Sequence, residues 1–261
     1  MTLPGESDGD QDAPRAERVR VPLRHGGPSA SLGALLERPA GATPPVALVA
    51  HGRGGAAGQP QIAAIRAAYA RRGWATLTPD LRFSAGNQSG GAPEAFTMAN
   101  HLADLRAALD WLCESFEPGG GPARLGFAGH SMGAWAAATL ARDFGGAAHL
   151  LAVSPVLSGE ALLAARRALG RDAVAALRRE VPGAEAEWPG HDARPALRAL
   201  TAPTAVLVGG EDGLTPPQDA RAFFAAAAAP RFFAALPGLH HCPEGPDVDR
   251  ALDVALAALG A

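Results

Sequence analysis

Short apolar runs alternate along the chain with longer segments in which apolar positions recur every three or four residues. Runs of strand length lie at 18–23, 30–37, 46–50, 74–78, 123–128, 149–154, 204–209 and 231–236. Helical spacing fills most of the chain between the later runs. Two strands followed by strand–helix alternation predict an α/β fold, a mostly parallel eight-stranded sheet flanked by helices on both faces.

Helical spacing is clearest in the second half of this pattern. The longest helix is predicted from six apolar residues, Met98, Leu102, Leu105, Leu109, Leu112 and Phe116. Another helix is expected to begin at Thr215, because Pro216 suits a first turn and Gln218 follows the threonine by three residues. A terminal helix is marked by Val248, Leu252, Leu256 and Leu259.

Two segments depart from the alternation. Residues 1–17 are acidic and lack an apolar pattern, so they are predicted to form a disordered tail before a single domain at 18–261. The segment at about 155–200 has helical sequence but no strand. We expect it to be a small helical insertion between two strands of the sheet rather than a second domain.

Composition excludes several kinds of chemistry. The chain has 261 residues with a net charge of −3, and all 23 of its basic residues are arginine. Without lysine there is no Walker-type phosphate loop, no Schiff base or pyridoxal site and no Ser–Lys dyad. The small negative charge also argues against a nucleic-acid partner.

Cysteine content and hydropathy give expectations about environment. Two cysteines, Cys113 and Cys242, are too few for a disulfide framework and lack metal-site spacing, so no metal or organic cofactor is expected. The first residues lack the apolar core of a secretory signal, and no apolar run is long enough to span a membrane. A cytoplasmic protein without a membrane partner is therefore expected.

The strongest chemical signal is the sequence Gly129-His130-Ser131-Met132-Gly133, which follows a predicted strand and precedes a predicted helix. A serine on a tight strand-to-helix turn projects its hydroxyl above the sheet, and small residues two positions away avoid clashes in the turn. The helix that follows directs its N-terminus at a developing oxyanion. Ser131 is therefore a candidate nucleophile.

A serine nucleophile needs a base and a carboxylate that orients the base. Asp212 follows the strand at 204–209, and His240 and His241 follow the strand at 231–236, so all three lie past strand ends. Glu211 is a weaker alternative to Asp212. The order serine, aspartate, histidine along the chain is the one expected of a nucleophile elbow in an open α/β sheet.

A glycine-rich loop at 51–55 follows the strand at 46–50, where a second oxyanion donor is required. The glycines allow the backbone to approach a substrate closely. We assign the two donors of the oxyanion hole to the backbone N–H groups of Arg53 and Met132. The side chain of Arg53 either meets a substrate carboxylate or points to solvent.

Together these motifs resemble the α/β-hydrolase superfamily over nearly the whole chain after the tail. The matching segments are 51–55, the Thr-Pro-Asp-Leu-Arg turn at 78–82, 129–133, 210–212 with Thr215 and Pro216, and 237–241. The resemblance implies the α/β-hydrolase fold and places the base three residues after the glycine of a G-x-x-H pattern. It therefore favours His241, with His240 as the alternative. It also implies that the insertion at 155–200 forms a cap over the site.

Other residues are assigned from their positions. The candidate substrate-pocket residues are His130, Phe83, Trp188 and His240, although His130 is also typical filler of such a turn and the loop 83–91 is equally suited to a plain surface role. Two further histidines are expected to be structural. His51 is predicted to brace its loop, and His101 is predicted to lie on a polar helix face.

The motifs predict a serine hydrolase that cleaves carboxylic esters through an acyl-enzyme intermediate on Ser131. An amide or C–C bond hydrolase of the same fold is the first alternative, and a non-catalytic binding protein of this fold is the second. The expected partner is a small-molecule ester. The sequence does not define the acyl chain, the alcohol or the oligomeric state.

Overall fold

One eight-stranded sheet organises the molecule. The computed structural model describes residues 15–23, 30–39, 44–115 and 122–261. The strands are β1 Arg15–Pro22, β2 Ser31–Arg38, β3 Val46–Ala50, β4 Ala75–Pro79, β5 Leu125–His130, β6 His149–Val153, β7 Thr204–Gly209 and β8 Pro230–Leu236. Their spatial order is β1-β2-β4-β3-β5-β6-β7-β8, with β2 antiparallel to both neighbours and every other pair parallel. The predicted mostly parallel sheet is confirmed.

Helices connect the parallel strands. Those in the described residues are α1 Pro60–Ala70, α2 Met98–Ser115, α3 Met132–Phe144, α4 Gly159–Ala168, α5 Arg171–Glu180, α6 Ala184–Glu187, α7 Arg194–Ala199, α8 Pro217–Ala226 and α9 Pro246–Ala258. None of these helices combines the length and hydropathy needed to cross a membrane. Strand β1 begins at Arg15, so it includes the end of the predicted tail; residues 1–14 of that tail lie outside the described residues.

The central strands are buried on both faces, which explains their continuous apolar sequences. All five residues of β3 are buried, and they alternate between two cores. Val46 and Leu48 pack on the side of α2, α3 and α8, whereas Ala47 and Val49 pack on the side of α1 and α9. The sheet therefore separates two apolar layers, and its strand ends remain available for a site.

Helices α4 to α7 all lie between β6 and β7, in the segment for which an insertion is expected. A Cβ at Gly159 would come within 2.0 Å of the Trp188 carbonyl oxygen, so the start of α4 must be glycine for the two segments to meet. The carboxylate of Glu187 accepts hydrogen bonds from the backbone N–H groups of Met98 and Ala99. The insertion is thereby joined to the first turn of α2.

The start of α8 differs from the sequence prediction. The helix begins at Pro217 rather than at Thr215, and no side chain caps its N-terminus within the described residues. The Thr215 hydroxyl instead lies near Asp212 and the Ser154 carbonyl oxygen. A side chain expected to cap a helix therefore contributes to the environment of a candidate site residue.

Candidate active site

Ser131 is the single residue between β5 and α3. Its backbone has φ 58° and ψ −122°, an unfavourable conformation for a residue with a Cβ. Its N–H donates to the Val153 carbonyl oxygen at 3.0 Å, and its own carbonyl accepts from the N–H groups of Ala134 and Val156. These bonds hold the turn in its strained conformation and set the direction of the Ser131 hydroxyl.

Three glycines surround this turn because there is no room for side chains. A Cβ at Gly129 would lie 2.4 Å from the backbone of Gly133, and one at Gly133 would lie 2.4 Å from the Ala50 carbonyl oxygen. A Cβ at Gly52 would lie 2.9 Å from the Ser131 Cβ. The predicted requirement for small residues on either side of Ser131 thus has a direct steric cause.

The structure brings Ser131, His241 and Asp212 together from three different strand ends. Nε2 of His241 lies 3.1 Å from Oγ of Ser131. Nδ1 of the same ring lies 2.9 Å from Oδ2 of Asp212 and 3.2 Å from Oδ1. All three distances fall within the range that serine activation requires.

The Asp212 carboxylate is buried and fully engaged. Oδ1 accepts hydrogen bonds from the N–H groups of Leu214 at 2.8 Å and Thr215 at 2.9 Å, and Oδ2 accepts from the Thr215 hydroxyl at 2.6 Å. Burial alone would raise the pKa of Asp212, but the contacts with His241 and Thr215 outweigh it and lower this pKa to about 2. Asp212 is therefore a carboxylate at neutral pH.

This charge sets the tautomer of His241. An ionised carboxylate can only accept, so Nδ1 of His241 carries the hydrogen that is shared with Asp212. In the neutral ring Nε2 then has a free lone pair, which faces the Ser131 hydroxyl. The arrangement can transfer a proton from the serine oxygen to Nε2.

The two backbone groups assigned to the oxyanion hole lie beside Ser131. Met132 is the first residue of α3, where backbone N–H groups have no acceptor within the helix. Among the described residues, no acceptor is found for the N–H of Arg53 or for that of Met132. Both residues line the cavity next to Ser131.

The cavity beside Ser131 is small, with a volume of about 90 Å³. Its walls combine the catalytic candidates with apolar and basic side chains, namely Arg53, Met132, Leu162, Arg166, Trp188 and Leu214. Leu162, Arg166 and Trp188 belong to the helical segment between β6 and β7, so this segment forms part of the cavity wall beside the serine. Of the four candidate pocket residues from the sequence, Trp188 lies on this wall.

The other three candidates lie elsewhere. His130 is buried, and its Nε2–H donates to the His241 carbonyl oxygen at 2.8 Å, so it braces the loop of the base instead of contacting a substrate. Phe83 packs against Gly91 and the edge of the core. The His240 side chain is 75% exposed and turned toward Glu211, which leaves His241 as the histidine that faces Ser131.

His51 and His101 form a buried support beneath the glycine-rich loop. Nδ1–H of His51 donates to the Gly52 carbonyl oxygen at 2.7 Å, and its Nε2 accepts from the Leu81 N–H at 2.9 Å. Nε2–H of His101 donates to the His51 carbonyl oxygen at 2.9 Å. His101 is only 1% exposed, so its predicted position on a polar helix face is wrong.

Sequence reasoning missed two site residues. Arg166 lines the cavity from α4, in an alanine-rich stretch whose pattern shows helical spacing but not which face meets the sheet. The role of Thr215 could have been predicted from the sequence Asp212-Gly-Leu-Thr215. An aspartate at the start of such a turn is suited to accept hydrogen bonds from the backbone N–H groups two and three residues later.

No protein family and no curated protein matches the sequence. Several solved structures are similar to the structure of this chain. Est1E from Butyrivibrio proteoclasticus, bound to ferulic acid, is 20% identical, covers 93% of this chain and 100% of its own, and has a TM-score of 0.73. The esterase domain of a Rhodothermus marinus protein is 22% identical, covers 93% and 97%, and has a TM-score of 0.66. Dienelactone hydrolase from Anabaena variabilis is 21% identical, covers 94% and 95%, and has a TM-score of 0.64. Together with the strand order, these similarities identify the chain as a protein of the α/β-hydrolase fold.

Proposed function

We propose that the protein is a serine hydrolase that cleaves carboxylic esters through an acyl-enzyme intermediate on Ser131. The observation that supports this most strongly is the continuous contact from Ser131 Oγ to His241 Nε2 and from His241 Nδ1 to Asp212. The names of two similar structures, an esterase domain and a hydrolase of a lactone, agree with this reaction class.

In the first half of the reaction, Ser131 Oγ attacks the ester carbonyl carbon while Nε2 of His241 takes the hydroxyl proton. The carbonyl oxygen becomes an oxyanion held by the N–H groups of Arg53 and Met132, each worth roughly 3 kcal/mol in the transition state. The proton then passes from His241 to the alcohol oxygen as the C–O bond breaks. Asp212 remains ionised and stabilises the imidazolium that forms between these steps.

In the second half, water attacks the acyl-enzyme and gives its proton to His241. The same oxyanion donors hold the tetrahedral intermediate, and the proton returns to Ser131 Oγ as the acid leaves. The cavity of about 90 Å³ corresponds to about three water molecules at roughly 30 Å³ each, so it suits an acyl group of a few carbon atoms.

The test is hydrolysis of 4-nitrophenyl esters from acetate to laurate, with a 4-nitroanilide as the amide control. We expect wild-type rates to fall beyond butyrate, and Ser131→Ala to lower kcat by about a thousandfold or more. Activity retained in Ser131→Ala contradicts the proposal. Faster cleavage of the anilide than of the ester supports the amide alternative.

Labelling by a fluorophosphonate separates an enzyme from a binding protein. We expect stoichiometric modification of wild type at Ser131, located by mass spectrometry of the digested protein, and none in Ser131→Ala. A properly folded wild type that neither reacts with the probe nor turns over any ester would favour the non-catalytic alternative.

A further inference from the structure

An arginine lines the cavity beside Ser131 and has no ion pair with any residue that the structure describes. Arg166 stands in the last turn of α4, and its side chain is half-buried against the cavity. Its Nε is inaccessible to solvent and has no hydrogen-bond partner in the described part of the chain. Arg166 is also absent from the ion pairs formed by the described residues, although its α5 neighbour Glu180 is within electrostatic range.

The nearby carboxylate is already engaged. Oε2 of Glu180 lies 3.0 Å from Nη2 of Arg53, which is 21% exposed and lines the same cavity. The sequence offered two positions for the Arg53 side chain, in solvent or on a substrate. The structure instead pairs it with Glu180 of α5, so of the two arginines that line the cavity Arg166 is the one without an ion pair to a described residue.

Among the described residues, the cavity is lined by two arginines, Arg53 and Arg166, and by no acidic residue, and Arg53 is already paired with Glu180. Burial lowers the pKa of Arg166, and the like charge of Arg53 lowers it further, while Glu180 raises it. The two Nη groups of Arg166 make no hydrogen bond to the described residues and, unlike Nε, are not shut off from solvent, so they can donate to a ligand carboxylate.

We infer that the substrate is a short ester whose acyl group ends in a free carboxylate, which Arg166 binds. The inference rests on the proposed function. Arginine presents a planar set of donors that matches a carboxylate, and such charge-assisted hydrogen bonds are among the strongest in proteins. The apolar walls of Leu162 and Trp188 accommodate the few methylene groups between that carboxylate and the carbonyl attacked by Ser131. Monoesters of short dicarboxylic acids have this chemistry.

A matched pair of substrates tests the inference. Monomethyl succinate and methyl levulinate have nearly the same shape and the same number of non-hydrogen atoms, because a methyl ketone in the second replaces the carboxylate of the first. The measured quantity is the ratio of kcat/KM for the anionic ester to kcat/KM for the neutral ester. We expect a ratio of about 10 or more in wild type, and a fall of about tenfold or more in Arg166→Gln. Arg166→Lys should retain part of the preference.

Arg167→Gln is the matched control, because Arg167 is exposed in the same helical turn and does not line the cavity. We expect it to leave the ratio unchanged. A wild-type ratio near one overturns the inference. So does an Arg166→Gln variant that loses activity on both esters equally, because that outcome indicates a structural role.

Two further measurements separate the inference from the proposed function. Hydrolysis of 4-nitrophenyl butyrate and fluorophosphonate labelling report on Ser131 whatever charge the natural substrate carries. If both measurements succeed and no preference for the anionic ester appears, only the inference about Arg166 fails. If both measurements fail, the inference and the proposed function fail together. A preference for acetoxyacetate over acetoxyacetone, without one for monomethyl succinate, overturns placement of the carboxylate on the acyl side.

Discussion

The hydroxyl of Thr215 lies 2.6 Å from Oδ2 of Asp212, the same oxygen that lies 2.9 Å from Nδ1 of His241. Thr215 thus helps to fix the carboxylate that orients the base, although it does not reach Ser131. Because its N–H also bonds to Oδ1, this one residue contacts both oxygens of Asp212. We regard Thr215 as a positioning residue of the proposed reaction.

Replacing Thr215 by valine should lower kcat for a 4-nitrophenyl ester by about tenfold, with little change in KM. The substitution removes a hydrogen bond to a charged group but preserves the shape of the side chain. Thr215→Ser restores the hydroxyl and should recover most of the activity. Equal activity of the valine and serine variants would show that the hydroxyl has no part in positioning Asp212.

Ser131→Gly should be more stable than Ser131→Ala by about 1 kcal/mol. The φ of 58° and ψ of −122° at this position strain any residue with a Cβ, and glycine relieves that strain. Both variants lack the hydroxyl, so their difference isolates the backbone effect. Urea unfolding at pH 7 provides the measurement, and an alanine variant as stable as the glycine variant contradicts the prediction.

Stability should fall as pH falls below about 6.5. Burial lowers the pKa of four histidines, His51, His101, His130 and His149. These rings stay neutral in the folded protein while the unfolded chain takes up protons below its ordinary pKa of 6.5. Each such ring therefore costs about 1.4 kcal/mol of stability per pH unit, from pH 6.5 down to its folded pKa.

His101 allows this to be measured for a single ring. Burial, with a smaller effect from His51, lowers its pKa to about 3, so its contribution spans roughly pH 3 to 6.5. His101→Gln retains an N–H donor for the His51 carbonyl but does not titrate. We expect the slope of unfolding free energy between pH 5 and 6 to decrease by about 1.4 kcal/mol per pH unit. An unchanged slope would mean that His101 binds its proton equally in both states.

The side chain of Glu187 should stabilise the contact between the helices after β6 and the first turn of α2. Its carboxylate accepts from the N–H groups of Met98 and Ala99, both at 3.1 Å, and lies 2.5 Å from Nε2 of His191. Glu187→Ala leaves the first turn of α2 without this acceptor and should destabilise the protein by about 1 kcal/mol. Amide hydrogen exchange in α4 to α6 should become faster.

Glu185→Ala is the control for this change. Glu185 lies on the same short helix but pairs with the exposed Arg178. We expect neither the unfolding midpoint nor the exchange of α4 to α6 to respond to it. Equal effects of the two alanine variants would indicate that α6 tolerates alanine poorly, rather than that Glu187 joins the insertion to α2.

Local pattern was sufficient to predict the sheet and the chain order of the candidate triad. Apolar runs located all eight strands, and turn chemistry at strand ends indicated Ser131, Asp212 and the pair His240–His241. These features depend on near neighbours: side-chain periodicity, a strand-to-helix turn and a carboxylate after a strand. The register of the parallel strands then brings their carboxyl ends to one edge of the sheet.

Local sequence patterns did not predict the contacts between residues that are far apart in the chain. The bond from Arg53 to Glu180 joins residues 127 positions apart, and the contact from His241 to Ser131 joins residues 110 apart. Sequence spacing does not reveal which face of the alanine-rich helix α4 turns inward, so Arg166 was not recognised. His101 is different, because it lies three residues after Met98 and four before Leu105, and the spacing of α2 already indicated its inward face. The sequence by itself determined the sheet and the order of the candidate triad. The tertiary structure decided which histidine faces the serine and which of the two cavity arginines has no ion pair among the described residues, because burial and pairing depend on what packs opposite each side chain.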